Sequence, residues 1–415
     1  MNKLNRWVYA AVGVLVLFCA GIIYAWSVLS APIAAEFTEW TKAQLSLTFT
    51  ITMILFCMGC MAGGFLSAKL SPKLYVVAAA VLFLIGFQMT ANIHSVIMLY
   101  IGFGVISGFG SGLVYNAVMG TITKWFPDKQ GLISGVLLMG FGVSAFAIGK
   151  LYQALTPEEI GAWRNSFRFM GIVIPVVLAL CAPFFVKPQP TEATGNVQKK
   201  SAANPVAMEA TTGQMIRKPA FWLYYIWAIL LSAAGLALIS QATGSASEVG
   251  PVVSAGTIAT VVGLISIFNA VGRVLSGMLY DRLGRASTMN LVNTSFIVTS
   301  VILTLGLTTG SFALIVVGFI TGGLSYGSVA PINSAFVSSY YGQKNFSMNF
   351  SVINTNLVIA SFGSTIAGSL YDASRSYLST YMLMAGLALG GFVITALIGM
   401  CDKRELAARK ARQGQ

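Results

Sequence analysis

The run FNAVGRVLSG, residues 268–277, places Arg273 inside an otherwise apolar stretch, with Ser266, Asn269 and Ser276 on the same helical face at spacings of three and four. A planar guanidinium matches a carboxylate with two parallel hydrogen bonds and keeps its charge at every physiological pH. An asparagine one turn earlier can steady that guanidinium through its amide oxygen. This constellation suits reversible binding of an anion. The apolar runs hold no nucleophile with a base and no metal-ligand cluster, so neither an enzyme nor a metal or cofactor is expected. Cys57 and Cys60 have C-x-x-C spacing, but they sit in the helical FCMGCMAGG without a nearby histidine or carboxylate and are read as packing residues.

The elements that must carry Arg273 are membrane helices. The chain has 415 residues, 56% hydrophobic and 9% charged, with mean hydropathy +0.79, whereas soluble domains carry about 25% charged residues. Twelve runs of about 20 apolar residues, each enough to cross a bilayer as a helix, lie at 7–30, 45–68, 74–91, 97–121, 131–153, 166–186, 220–244, 254–279, 288–309, 312–335, 346–371 and 377–400. The first is too long for a signal peptide and lacks a cleavage pattern. The net charge of +13 does not mark a nucleic-acid binder, because its placement follows the membrane. With the N-terminus inside, 19 of the 25 Lys and Arg fall on the cytoplasmic side and five (Lys42, Lys150, Arg164, Arg168, Arg375) outside, Arg273 being the remaining one. That asymmetry places both termini in the cytoplasm.

A stretch rich in Pro, Thr, Ala and Lys between the sixth and seventh spans reads as a connector. The expected organisation is a six-helix bundle over 1–186, a cytoplasmic linker over 187–218, a second six-helix bundle over 219–402 and a basic tail over 403–415. The halves echo each other, GGFLSAKLSPK (63–73) following the second span much as SGMLYDRLGR (276–285) follows the eighth. Parallel repeats of this kind place a substrate site near the bilayer midplane.

All twelve acidic residues fall in loops, at span edges, in the linker or in the tail. No carboxylate of the chain's own is therefore expected at the depth of Arg273, and the substrate is expected to be its counter-ion. Arg273 lies eight residues before Asp281, about 12 Å along a helix and near the middle of a core about 30 Å thick, beyond comfortable snorkelling reach. Tyr115, about 13 Å from the cytoplasmic side, and Asn356, about 15 Å up, share that level. Each suits an interhelical hydrogen bond as well as a substrate contact. Gly104, Gly108 and Gly112 line one side of the fourth span, and Gly135, Gly140 and Gly142 occur in the fifth, which reads as packing and gating surface.

GMLYDRLGR resembles the loop signature of the major facilitator superfamily, with a degenerate first-half copy carrying Ala68 and Ser71. YAWSVLSAPI in the first span, GLVYNAVMGTITKWFPDKQGLISG at the fourth and fifth, RKPAFW opening the seventh, and Asn269 with Arg273 together resemble the oxalate/formate antiporter group, relatives of the monocarboxylate transporters, over the whole chain. The resemblance implies an all-α membrane protein of two six-helix bundles, the major facilitator fold. It also implies a small-organic-anion substrate and substrate contacts at Tyr115 and Tyr326, with Tyr24 a further cavity residue. Oxalate carriers of the group resemble one another in a lysine where this chain has Asn356, and an aromatic is replaced by Gly322. One cation suits a monoanion, so formate, acetate, lactate or pyruvate is expected ahead of oxalate. Monocarboxylate transporters carry an aspartate where this chain has Asn269, and His94, the only histidine, lies in a short outer loop. Exchange of anions is favoured over symport with a proton, which stays open, as does another organic anion such as a dicarboxylate or amino acid. WFPDKQG and YDRLGR are expected to make cytoplasmic contacts between helix ends through Asp128, Lys129, Asp281 and Arg285, Asp281 meeting a helix C-terminus or Arg285. The expected protein is a monomeric carrier in a prokaryotic-type inner membrane, surrounded by lipid and bound to no nucleic acid.

Overall fold

A computed structural model describes residues 5–157, 159–188 and 207–413. Residues 189–206, most of the expected linker, and the last two of the tail lie outside the described residues. Every described secondary-structure element is a helix, as a chain must be when its backbone donors and acceptors are to be satisfied within hydrocarbon.

Among the described residues eleven helices are long and apolar enough to cross a membrane. One of them, Gly256–Thr309, carries the eighth and ninth spans in a single run. It is interrupted at Gly284, whose φ of 76° and ψ of −179° are not helical, so the run makes two spans. Hydropathy ends the eighth span at its first charges near residue 280. The helix itself continues through YDRL, because charged residues in water keep their backbone hydrogen bonds. The first span likewise departs from a uniform helix: Arg6–Ala20 is α, Gly21–Ala25 is 3-10, and Trp26–Glu36 resumes as α with Pro32 inside. The fourth contains a π-helical stretch, Tyr100–Ser107.

The chain forms two compact units, one of Met1–Pro127, Val136–Ala193 and Phe350–Asn354, the other of Asp128–Gly135, Thr194–Asn349 and Thr355–Gln415. In the first, the second and fourth spans meet backbone to backbone. A β-carbon at Gly59 would fall on the Phe109 carbonyl and one at Gly112 on the Phe56 carbonyl, while Gly104 and Gly108 face Ile51 and Thr52. Small residues are what allow such an approach where lipid supplies no hydrophobic drive. The Cys57 thiol reaches the Asn354 carbonyl at 3.7 Å and Cys60 is fully buried. The outer ends of this unit are tied by Glu36, which accepts from Trp163 Nε1 at 2.7 Å and pairs with Arg164 at 2.6 Å.

In the second unit a buried polar chain crosses the bundle: Trp227 Nε1 donates to Asn293 Oδ1 at 2.9 Å, and Asn293 Nδ2 to Thr395 Oγ1 at 3.4 Å. The Tyr224 hydroxyl donates to Asn333 Oδ1 at 2.8 Å, its ring stacked on Phe336 at 3.8 Å. At the YDRLGR end, Arg285 donates to the Tyr340 hydroxyl at 2.7 Å and pairs with Asp402 at 3.0 Å.

Gly284 occupies a region of φ/ψ space that is essentially glycine's alone, although nothing lies within 4 Å of where its β-carbon would stand. Gly284→Ala is expected to cost about 1–3 kcal/mol through the backbone alone. The check is a lowered unfolding temperature in detergent; unchanged stability would contradict the conformation.

Candidate functional site

Arg273 is half-buried in the second unit and donates from Nε to Asn269 Oδ1 at 2.8 Å. The two residues are one turn apart, so the helix itself sets the geometry. Asn269 is 6% exposed, which makes its carbonyl a fixed acceptor. Ser276 Oγ donates to the Arg273 carbonyl at 3.3 Å.

The tenth span holds this turn in place. A β-carbon at Gly323 would lie 3.2 Å from the Asn269 nitrogen, one at Gly327 would fall on the Asn269 backbone, and one at Gly272 on the Leu324 carbonyl. Two helices in backbone contact cannot slide without opening a void. Tyr326, in the same turn of the tenth span, is half-buried and adjoins Gly327. The position that the resemblance marks as a lost aromatic, Gly322, is buried, and a β-carbon there would meet Leu238.

Asn356 is fully buried, with Ser232 Oγ 3.4 Å from its Oδ1. This is the interhelical bond that the sequence allowed equally. The eleventh span breaks beside it, into Phe346–Asn354, Asn356–Ala360 and Phe362–Ser374, and Thr355 Oγ1 at the first break lies 2.8 Å from the Tyr225 hydroxyl.

Tyr115 and Tyr24 belong to the first unit, where both rings touch Phe141, at 5.2 and 5.3 Å. Tyr115 also stacks on Phe350 at 5.8 Å and is 5% exposed. Next to it Asn116 Nδ2 donates to Ser351 Oγ at 2.7 Å, and Ser351 donates to the Cys60 carbonyl at 2.7 Å. Tyr24 sits in the 3-10 segment of the first span.

Asp281 corrects an expectation. Its carboxylate meets a helix N-terminus, accepting from the backbone N–H of Gly131 at 3.0 Å and Leu132 at 2.9 Å. These N–H groups open the helix Gln130–Leu155 and have no partner within it, and the positive end of a helix suits an acid. Arg285 is engaged with Tyr340 and Asp402. Pro127 and Asp128 form a turn, and Lys129 follows it just before the capped helix. Around the cap, Gly131 meets the Gly277 backbone, Gly135 meets the Arg273 carbonyl, and Ser134 Oγ lies 2.7 Å from Ser334 Oγ. Sequence reasoning missed Ser134, Ser334 and Asn116, since a lone serine or asparagine in a span carries no signal of its partner; the Gly131–Gly135 spacing did carry one.

Among the described residues no three His, Cys, Asp or Glu gather as a metal site. A many-span helical protein with a mid-span cation held by a neutral amide has the build of a membrane carrier. The sequence profile of the Major Facilitator Superfamily matches residues 12–360 and 245–414, and the chain belongs to that superfamily. It is 26% identical over 399 residues to the oxalate:formate antiporter of Oxalobacter formigenes, covering 94% of this chain and 92% of that protein. It is 23% identical over 375 residues to monocarboxylate transporter 13 of Rattus norvegicus, covering 89% and 83%. Its fold is similar to that of FucP, a Major Facilitator Superfamily transporter solved in the outward conformation, with a TM-score of 0.66 at 14% identity, covering 94% of this chain and 98% of that one. The proton:xylose symporter XylE shares the fold at TM-score 0.71, 14% identity and coverage of 95% and 96%.

If Asp281 holds the Gln130 helix end in place, a Ser134→Cys and Ser334→Cys pair, in a background without the five native cysteines, is expected to cross-link readily on oxidation. Asp281→Asn is expected to lower the yield severalfold, read on gels after a timed oxidant pulse; an equal yield would contradict the capping role.

Proposed function

We propose that the protein is a secondary carrier of a small monocarboxylate, such as lactate, pyruvate, formate or acetate, working by alternating access with Arg273 as the carboxylate anchor. The observation that carries this reading is the 2.8 Å bond from Arg273 Nε to Asn269. It fixes the plane of a guanidinium at mid-span depth without neutralising it, and a fixed planar guanidinium selects a carboxylate. Tyr326 is proposed as an orienting hydroxyl donor beside it, Asn356 as a polar group supporting the site, and Tyr115 and Tyr24 as further contacts. The names of the relatives agree with this substrate class, one being an oxalate:formate antiporter and another a monocarboxylate transporter.

Exchange of one anion for another is the proposed mode. Asn269 does not titrate, so the pair keeps its positive charge whether the carrier is loaded or empty, and a second anion rather than a proton restores the balance. The proposed location is a prokaryotic-type inner membrane, and the proposed working unit a monomer. Arg273→Gln is expected to abolish uptake of labelled lactate and formate into proteoliposomes while leaving the protein inserted. In the parent, uptake is expected to require internal anion and to ignore a pH gradient. Full activity of Arg273→Gln would overturn the anchor, and uptake into empty vesicles driven by an acidic exterior would overturn exchange.

Asn269→Asp turns the neutral clamp into an ion pair. An acid so placed competes with the substrate for the guanidinium, and protonating it restores the cation. Substrate affinity is therefore expected to fall at neutral pH and recover as pH drops through the range where that acid takes up its proton; a pH-independent affinity equal to the parent's would contradict the account.

A further inference from the structure

We propose that Gly235 is a specificity-determining residue: having no side chain, it seats the ring of Tyr326, and the seat of that ring sets the size of the acyl group a carboxylate can carry to Arg273. The inference rests on the carboxylate reading above. A β-carbon on Gly235 would fall on Cδ2 and Cγ of Tyr326 and lie 2.8 Å from its Cβ. The ring thus packs against the seventh span at Gly235, in space that any other residue would fill.

The ring also cannot recede by movement of its own helix. On the adjoining face of the tenth span, Gly323 and Gly327 are in backbone contact with Ile265 and Asn269 of the eighth. Tyr326 is therefore held by two neighbours, the seventh span at its ring and the eighth beside its backbone. Its phenol keeps a set position relative to the turn that carries Arg273, because Gly327, the next residue, packs on the Asn269 backbone. A methyl group at 235 forces a change of rotamer, because a ring packed on backbone has no softer neighbour to displace. The half-buried ring then leaves its present seat on the seventh span.

The chemistry this touches is discrimination among short carboxylates that share one charged end and differ in the other. In an apolar site one methylene changes specificity by roughly 10–200-fold. Moving an aromatic wall by the width of a methyl group belongs on that scale. Formate, with only a hydrogen beyond its carboxylate, should be the substrate least sensitive to where the wall stands.

The test compares Gly235→Ala, Tyr326→Ala and the double variant in proteoliposomes, with labelled formate and labelled L-lactate, after size-exclusion chromatography shows each variant folded. Gly235→Ala is expected to change the formate-to-lactate ratio of kcat/KM by about tenfold or more, chiefly through lactate. In the Tyr326→Ala background the same substitution is expected to leave the ratio alone, since no ring remains to be displaced. Equal loss for both substrates, or the same change with and without the ring, would overturn the inference. Should Gly235→Ala alone fail to fold, Tyr326→Ala, which empties the seat without adding atoms, must shift the ratio by itself, and an unshifted ratio overturns the inference. A parent protein that moves neither anion overturns the proposed function, whereas a parent that moves both, with a ratio indifferent to Gly235→Ala, overturns this inference alone.

Discussion

In the anchoring role proposed above, the Arg273 guanidinium has to be held without being neutralised, and the bond to Asn269 meets that constraint. Placing an arginine at the centre of a span costs about 3 kcal/mol on insertion scales. A hydrogen bond to a charged group returns about 1.5–3 kcal/mol, so the bond from Arg273 to Asn269 is of the size needed to make the residue tolerable. An aspartate in place of the amide would hold the arginine more tightly and cancel the charge an anion needs. The choice of Asn269 over an acid is thus a compromise between keeping the cation in place and keeping it attractive.

The clamp works only if the turn that carries it stays put, and the chain achieves this with absent side chains. Gly272, Gly323 and Gly327 bring the eighth and tenth spans into backbone contact around Asn269, while Gly131 and Gly135 bring the start of the fifth against Gly277 and Arg273. In a bilayer, contacts of this kind replace the hydrophobic drive that lipid cannot supply. They are also short and numerous enough to be made or broken as a set, which is the property a moving carrier needs. Asp281 adds a charge-based fastening to the same surface, binding two N–H groups that the helix cannot satisfy itself.

Much of this could be read before any coordinate was known. Span number follows from hydropathy, because the bilayer sets the length of apolar run that crosses it. Arg273 and its amide follow from helical spacing, which is a local property. What stayed hidden depended on contacts between distant segments. The spacing of Asn356 could not tell a cavity residue from a buried partner of Ser232. Asp281 was expected at a helix C-terminus or on Arg285, and only the fold shows that the helix end presented to it is an N-terminus. Gly235 carries no local signal, since its role is defined by a ring 91 positions away. The break at Gly284 was invisible for another reason: hydropathy marks where the membrane ends, and the helix runs on past it.

The measurement that bears most directly on the anchoring role of Arg273 is the thermal stabilisation of purified protein by acetate and by acetamide, which share a shape and differ in charge. The account predicts that acetate raises the unfolding temperature in a dose-dependent way, that acetamide does not, and that Arg273→Gln loses the response to acetate. Equal stabilisation by both compounds, or an acetate response that survives in Arg273→Gln, would contradict it.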